Sequence, residues 1–260
     1  MDFKLPPRSQ KPRQRGTTSV IDFGPDTFGW TGPHSLRDLL DYAADYIDFA
    51  KIYAMNALLA PEATIRSVVA QYQEAGIKAY SGGILFEYAC HTHALEDMLR
   101  HLKKLGIGAL EISENYLELS APQRAAYIHQ AQSAGFEVIY EFGRKNPTEA
   151  FTVDDLEALV AQVRSQGIEH IIIEQSEINM IATSAPDALA QLPQKSWFSH
   201  LMIEADPYRF PQQHAQLLRD FGPEVNLANI TAGQALRLEG LRRGIGRAVN
   251  YSLLNPDSAA

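Results

Sequence analysis

Short runs of apolar and β-branched residues alternate with longer segments of helical period along this chain, repeating at roughly 30 residues. Eight runs have the composition of buried strands, and they cover residues 18–22, 46–52, 77–81, 109–113, 137–141, 170–174, 200–204 and 225–230. Helical segments follow at residues 35–44, 61–75, 93–105, 121–134, 152–165, 186–192, 211–221 and 233–243. Five of them are followed by glycine, which ends helices readily: Gly76, Gly106, Gly135, Gly167 and Gly222. Eight strand-then-helix units predict an α/β fold, a single-domain (β/α)8 TIM barrel.

A doubly wound open sheet shows the same alternation, but it usually carries a glycine-rich dinucleotide turn directly after its first strand. Here the first strand leads into Asp22-Phe23-Gly24-Pro25, and the glycine cluster at 240–246 follows a helix. The barrel is therefore preferred and takes residues 16–250, between a basic arm over 1–15 and a tail over 251–260. The arm either borders an anionic site or extends across the domain surface, and we prefer the second interpretation for Lys4 and Arg8.

Composition excludes several classes of protein. The formal net charge is −8, from 23 basic and 31 acidic residues, which argues against a nucleic-acid-binding protein. Cys90 is the only cysteine, so neither a disulfide framework nor a zinc site of several thiolates is expected. No apolar run reaches the roughly 18 residues of a membrane helix, and no secretory signal is visible. We expect a soluble, cytoplasmic protein that makes no membrane contact.

Polar side chains end nearly every predicted strand, which is where barrel enzymes place their active sites. The carboxylates in these positions include Asp22, Glu87, Glu111, Glu141, Glu174 and Glu204. Any one of them has a simple structural interpretation, as a helix cap or the partner of a lysine. Six on one rim would repel one another unless a cation lies among them. Oxygen ligands favour Mg²⁺ or a similar hard ion, and Glu87, Glu174 and Glu204 are the predicted metal ligands.

Four cationic side chains are candidates for the same rim, namely Lys51, Arg144, Lys145 and Arg209. Lys51 ends an apolar strand, where desolvation would lower its pKa and suit it to donate a proton or to stabilise charge. The alternative is an ion pair with Asp22 or Asp48. Gly82 and Gly83 after the third strand allow backbone amides to approach an anionic ligand, although an ordinary turn also explains them.

The segment Cys90-His91-Thr92-His93 resembles a transition-metal or nucleophilic site. Its position at the start of a predicted helix favours a solvated or capping role for the histidines instead.

A set of short motifs extends from the arm to the last strand. Its members are Leu5-Pro6-Pro7-Arg8, Lys11-Pro12-Arg13, Arg15-Gly16-Thr17, Asp22-Phe23-Gly24, Asp45-Tyr46-Ile47-Asp48, Lys51, Gly82-Gly83-Ile84-Leu85-Phe86-Glu87, Glu111-Ile112-Ser113, Glu141-Phe142-Gly143, Lys145, Ile172-Ile173-Glu174, Glu204, Phe221-Gly222-Pro223-Glu224-Val225-Asn226-Leu227 and Asn229. The set resembles the phosphosulfolactate synthase family. The resemblance implies a barrel enzyme that adds sulfite to phosphoenolpyruvate with Mg²⁺, and plant heat-stress-associated proteins are similar in sequence.

The resemblance and the strand ends together predict the roles of individual residues. The predicted catalytic residues are Lys51, Glu111, Glu141 and Lys145. The predicted substrate-binding residues are Arg15, Asp22, Gly82, Gly83, Ser113, Arg144 and Asn229. The expected partner is a small anionic substrate, and a homo-oligomer is compatible with the sequence.

Two positions depart from the family pattern. Phe23 stands where the family typically has a lysine, and Ser176 stands where it has an arginine. Loss of two cations predicts a changed nucleophile or a less anionic acceptor. The alternative is a family member with reduced catalysis that acts as a binding or stress-related protein.

Overall fold

Eight parallel strands close into a barrel in a computed structural model that describes residues 5–27, 29–143, 151–251 and 254. The strands are β1 (Thr18–Asp22), β2 (Phe49–Ile52), β3 (Lys78–Ser81), β4 (Ala109–Ser113), β5 (Glu137–Phe142), β6 (His170–Ile173), β7 (Leu201–Glu204) and β8 (Leu227–Thr231). Each strand pairs with its neighbours in chain order, and β8 pairs with β1 to close the barrel. The predicted fold is confirmed, and β1 and β4 have the predicted bounds.

Helices surround the barrel on its outer side. They are α1 (Pro33–Ala43), α2 (Asn56–Leu59), α3 (Glu62–Glu74), α4 (Gly83–His91), α5 (Leu95–Lys104), α6 (Ala121–Ser133), α7 (Val153–Arg164), α8 (Gln175–Ser184), α9 (Pro186–Gln191), α10 (Gln212–Phe221) and α11 (Ala235–Arg242). No described helix is both long enough and apolar enough to cross a membrane.

Local sequence signals explain where several helices begin and end. Ser120 and Gln123 form a capping box at the start of α6, and Thr152 and Asp155 form another at the start of α7. All five predicted stop glycines have a positive φ, between 66° and 85°. A residue with a Cβ is strained in that conformation, so glycine ends each helix at low cost.

The structure differs from the sequence-based expectation at the loops. Helices α4 and α8 directly follow β3 and β6, where the sequence predicted loops. The predicted helix over 93–105 begins only at Leu95, because His93 has a left-handed φ of 57°. The second strand is shorter than predicted, since a 3₁₀ turn occupies Ala44–Tyr46.

Apolar side chains form two separate clusters. The larger one fills the space between the sheet and the helices. The smaller one fills the barrel interior and consists of Phe49, Tyr80, Ala109, Ile139, Ile172, Met202 and Ala228. Because alternate residues of a strand point to the same face, the residues two positions further along these strands form the next interior layer. That layer contains the charged side chains described below.

The N-terminal arm lies at the end of the barrel where the strands begin. Arg8 pairs with Glu224 and Glu239, which precede β8 and lie in α11. Arg13 Nη1 lies 3.2 Å from Asp48 Oδ2, just before β2. Arg15 is exposed in the segment before β1. The arm is therefore packed across the opposite face from the strand ends, in agreement with the preferred interpretation for Arg8.

Candidate active site

A buried lysine between two glutamates forms the centre of the charged interior layer. Lys51 Nζ lies 2.8 Å from Glu111 Oε2 and 3.1 Å from Glu141 Oε2. All three side chains are buried, and Tyr80 lies below the ammonium with its ring centroid 5.9 Å from Nζ. The lysine comes from β2 and the two carboxyls from β4 and β5, so residues far apart in sequence meet across the barrel. We call these three residues the lysine cluster.

Burial and mutual attraction set the protonation of the lysine cluster. Burial by itself lowers the pKa of Lys51, but attraction to Glu111 and Glu141 outweighs it and raises that pKa well above its usual value. The sequence expectation of a lowered pKa was therefore wrong. Burial, together with repulsion from Glu141, raises the pKa of Glu111 to about 8. Burial opposes ionisation of Glu141 too, but Lys51 and Asn115 outweigh it and lower its pKa. At neutral pH Glu111 holds a proton, Glu141 is anionic and Lys51 is cationic.

Glu87 holds the loop that follows β4. Its carboxylate accepts hydrogen bonds from Asn115 N at 2.9 Å, from Tyr116 N at 2.9 Å and from the Ser113 hydroxyl. These donors occupy both carboxylate oxygens, so Glu87 is engaged in fixing backbone. Ser113, a predicted substrate-binding residue, has its hydroxyl committed to the same interaction. Asn115 was not predicted from sequence, although it continues the inward-facing alternation of residues 109, 111 and 113.

The two glycines after β3 bring the start of α4 close to the lysine cluster. Gly83 N donates to Glu111 Oε1 at 2.7 Å. A Cβ at Gly83 would overlap the Ser113 side chain and lie 2.9 Å from Glu111 Oε1. A Cβ at Gly82 would lie 3.5 Å from Lys51 Cδ. The backbone amide at Gly83 therefore donates to a carboxyl of this chain, whereas the sequence predicted an anionic ligand there.

A second pair of polar side chains comes from the end of β7 and the middle of β8. Asn229 Nδ2 donates to Glu204 Oε1 at 2.5 Å, and Asn229 has a positive φ of 58°. The negative charge of Glu204 contributes to the raised pKa of Lys51, which places this pair within electrostatic range of the cluster. Glu174 follows β6 at the N-cap position of α8, where Gly143 leaves room for it.

Other predicted site residues lie away from the lysine cluster. Asp22 accepts hydrogen bonds from Tyr72 Oη at 2.9 Å, Gly24 N at 2.8 Å and the Thr31 hydroxyl, so it joins β1 to the surrounding elements. Arg15 lies at the opposite end of the barrel. Arg144 and Lys145 lie outside the described residues, so their roles stay predictions. Cys90 is half-buried, and burial raises the pKa of its thiol to about 11.

The described donors do not assemble the predicted Mg²⁺ site. Among residues 5–27, 29–143 and 151–251, no group of three or more His, Cys, Asp or Glu side chains is arranged to hold a metal ion. Glu87 is occupied by three hydrogen-bond donors, and Lys51 supplies the cation between Glu111 and Glu141. The Lys51 ammonium relieves the repulsion between Glu111 and Glu141, and Mg²⁺ at the other strand-end carboxylates stays a prediction.

The model of the (2R)-phospho-3-sulfolactate synthase family matches residues 6–247 of this chain. The chain belongs to this family. A phosphosulfolactate synthase from Methanothermobacter thermautotrophicus is 31% identical over 252 residues, covering 94% of this chain and 95% of that protein. One from Methanocaldococcus jannaschii is 31% identical over 254 residues, covering 89% and 92%. Protein Heat-Stress-Associated 32 from Arabidopsis thaliana is 22% identical over 269 residues, covering 92% and 90%. The family resemblance expected from sequence is confirmed, and it supports a lyase-type function for this chain.

Proposed function

We propose that this protein is a lyase-type synthase that joins a nucleophile to phosphoenolpyruvate or a related small unsaturated carboxylate. In the reaction implied by the family, the nucleophile is sulfite. One observation carries the proposal, namely the buried Lys51 ammonium held 2.8 Å from Glu111 Oε2 and 3.1 Å from Glu141 Oε2 toward the carboxyl ends of the barrel strands. Active sites of such barrels lie at that end.

The chemistry of the addition requires the groups found in the lysine cluster. The sulfur lone pair forms a bond to the methylene carbon, and the π electrons of the double bond move toward the adjacent carbon and its carboxylate. The intermediate therefore carries additional negative charge on the carboxylate oxygens. A proton delivered to the adjacent carbon then completes the saturated product. The site must supply a positive charge and a proton, and it must exclude water.

Lys51 and Glu111 are the residues suited to these two tasks. Two of the three N–H donors of Lys51 face Glu111 and Glu141, which leaves one to stabilise the charge that develops on the substrate. Glu111 retains its proton up to a pH of about 8 and can deliver it at neutral pH. We therefore expect product formation to decline as pH rises through about 8, because the acid form of Glu111 is lost.

The test is to incubate the purified protein with phosphoenolpyruvate and sulfite, with and without Mg²⁺, and to follow the adduct by mass spectrometry. We expect Lys51→Ala to lower the rate by at least about 100-fold, the usual range for a group that moves or stabilises charge in the transition state. Lys78→Ala is the matched control, because Lys78 lies on the adjacent strand but is exposed at its opposite end. An inactive wild type would rule out the direct family reaction, and full activity of Lys51→Ala would remove Lys51 from the mechanism.

Two contacts favour a second candidate, a binding protein with reduced catalysis. Phe23 packs against Tyr53 with ring centroids 4.7 Å apart, and Ser176 donates to Glu177 at 2.6 Å. The resemblance expects cations at positions 23 and 176, and an aromatic ring and a hydroxyl bind a trianion less well. Calorimetric binding of phosphoenolpyruvate without adduct formation would support this candidate.

A further inference from the structure

Asn115 is buried beside the lysine cluster and has only half of its amide satisfied. Its side chain follows β4 and is 7% exposed. Asn115 Nδ2 donates to Glu141 Oε1 at 2.5 Å. Asn115 Oδ1 is buried and has no hydrogen-bond partner in the described part of the chain. A buried acceptor without a donor costs free energy, so this residue is poorly suited to a purely stabilising role.

Asn226 shows what a structural asparagine looks like in the same barrel. Its Nδ2 donates to Ser199 O at 2.9 Å and to Leu201 O at 3.0 Å, and its Oδ1 accepts from Thr17 N at 3.0 Å. Every polar group of that side chain is satisfied by backbone at the start of the strands. The contrast indicates that the contact with Glu141 is what Asn115 contributes.

The backbone beneath Asn115 is fixed by Glu87, which accepts from the main-chain N–H groups of residues 115 and 116. Glu87 lies on the neighbouring helix α4, and its hydrogen bonds to this backbone orient the Asn115 side-chain amide toward Glu141. The titratable groups that face the lysine cluster and Asn115 from described neighbouring elements are Tyr80 from β3, Glu87 from α4 and Glu204 from β7.

We propose that Asn115 is a positioning residue that donates its N–H to Glu141, keeps that carboxyl anionic and so leaves the shared proton on Glu111. Apart from Asn115, the described contacts favour ionisation of Glu111 over Glu141, because Glu111 accepts from Gly83 N at 2.7 Å and lies 2.8 Å from the ammonium, against 3.1 Å for Glu141. The Asn115 donor on Glu141 opposes that preference. An N–H donor favours the ionised form of the carboxyl it contacts. The importance of the Glu111 proton for catalysis rests on the proposed function, in which Glu111 is the proton donor.

The variant Asn115→Leu removes the donor together with the unsatisfied acceptor. We expect the apparent pKa of the ionised carboxyl to rise by about one to two units, the effect of losing one hydrogen bond to a charged group. Infrared titration of protein labelled with ¹³C at glutamate carboxyls measures this shift without requiring activity. Asn226→Leu is the matched control, and we expect it to lower the free energy of unfolding more than Asn115→Leu while leaving the titration unchanged.

Asn115→Asp has nearly the same shape and can donate to Glu141 only when its own carboxyl is protonated. We expect this variant to behave like wild type at acid pH and to lose adduct formation as pH rises. The decline in its pH–rate profile should lie at a lower pH than in wild type. If Asn115→Leu folds and its infrared titration matches wild type, the proposal is overturned. If the titration shifts but wild type forms no adduct, the positioning role stands and the proposed function fails.

Discussion

Removing the ammonium of Lys51 should destabilise the protein in a way that depends on pH. Lys51→Met replaces the lysine by an apolar side chain of similar length. It leaves the carboxyls of Glu111 and Glu141 buried, after the loss of a cation 2.8 and 3.1 Å away. Glu141 is the anionic partner at pH 7, and at an effective dielectric of about 20 its contact with the ammonium corresponds to about 5 kcal/mol of Coulomb attraction. The folded variant avoids most of this loss because Glu141 can bind a proton instead.

The cost of that proton sets the expected magnitude. Glu111 already holds a proton at pH 7, because its pKa is about 8. The ordinary pKa of Glu141 is 4.5, so holding a proton on this carboxyl at pH 7 costs about 3 kcal/mol. We therefore expect the free energy of unfolding to fall by about 3 kcal/mol at pH 7.

The sign of the pH dependence follows from the direction of the shift. In folded Lys51→Met the pKa of Glu141 lies above its unfolded value of 4.5, so the folded state binds more protons than the unfolded state at higher pH. The destabilisation relative to wild type should be small near pH 4.5 and should grow by about 1.4 kcal/mol per pH unit toward pH 7. In wild type the pKa of Glu141 is lowered, which stabilises the fold across that range.

Urea unfolding followed by circular dichroism between pH 5 and 8 measures this slope. Lys78→Met is the control, because Lys78 and Glu137 are 42% and 41% exposed and their pair is solvent-screened. We expect that control to change stability by less than about 1 kcal/mol without a comparable slope. A loss of stability in Lys51→Met that is the same at every pH would refute the reasoning.

Two further predictions concern stability. Burial lowers the pKa of His214 to about 4 from 6.5, so wild-type stability should decline by about 3 kcal/mol as pH falls across that interval, and His214→Phe should flatten that part of the profile in acid-unfolding measurements. Gly83→Ala should lower the free energy of unfolding by about 1–3 kcal/mol through overlap with Ser113, whereas Gly108→Ala, whose Cβ would meet nothing within 4 Å, should change it by less than about 1 kcal/mol. Equal thermal midpoints for the two alanine variants would contradict the steric explanation.

The fold could be predicted from the sequence because its signals are local. Glycine after a helix, a capping box before one and an apolar run between them each depend on a few consecutive residues. Helices α4 and α8 escaped prediction because they begin directly after strands, without a preceding loop. The members of the lysine cluster were also identifiable, because each ends a predicted apolar strand.

The roles of single residues depended on which face of the sheet they occupy. Asp22 ends β1 as Glu141 nearly ends β5, yet Asp22 contacts Tyr72 and Thr31 while Glu141 contacts Lys51. A shift of one residue along a strand moves a side chain to the other face, so small errors in a predicted strand misplace its polar residues. Asn115 could have been found by extending the alternation of β4 by one step.

The sequence by itself determined the barrel, its family and the acidic rim, since apolar periodicity, stop residues and motifs are properties of the chain. The tertiary structure alone decided which groups neutralise the buried carboxyls of the barrel interior. Lys51, Glu111 and Glu141 are separated by up to 90 residues along the chain and meet within 3.1 Å. Coulomb energy and desolvation depend on distance and burial in space, so the ammonium between the two carboxyls became visible only in the folded barrel.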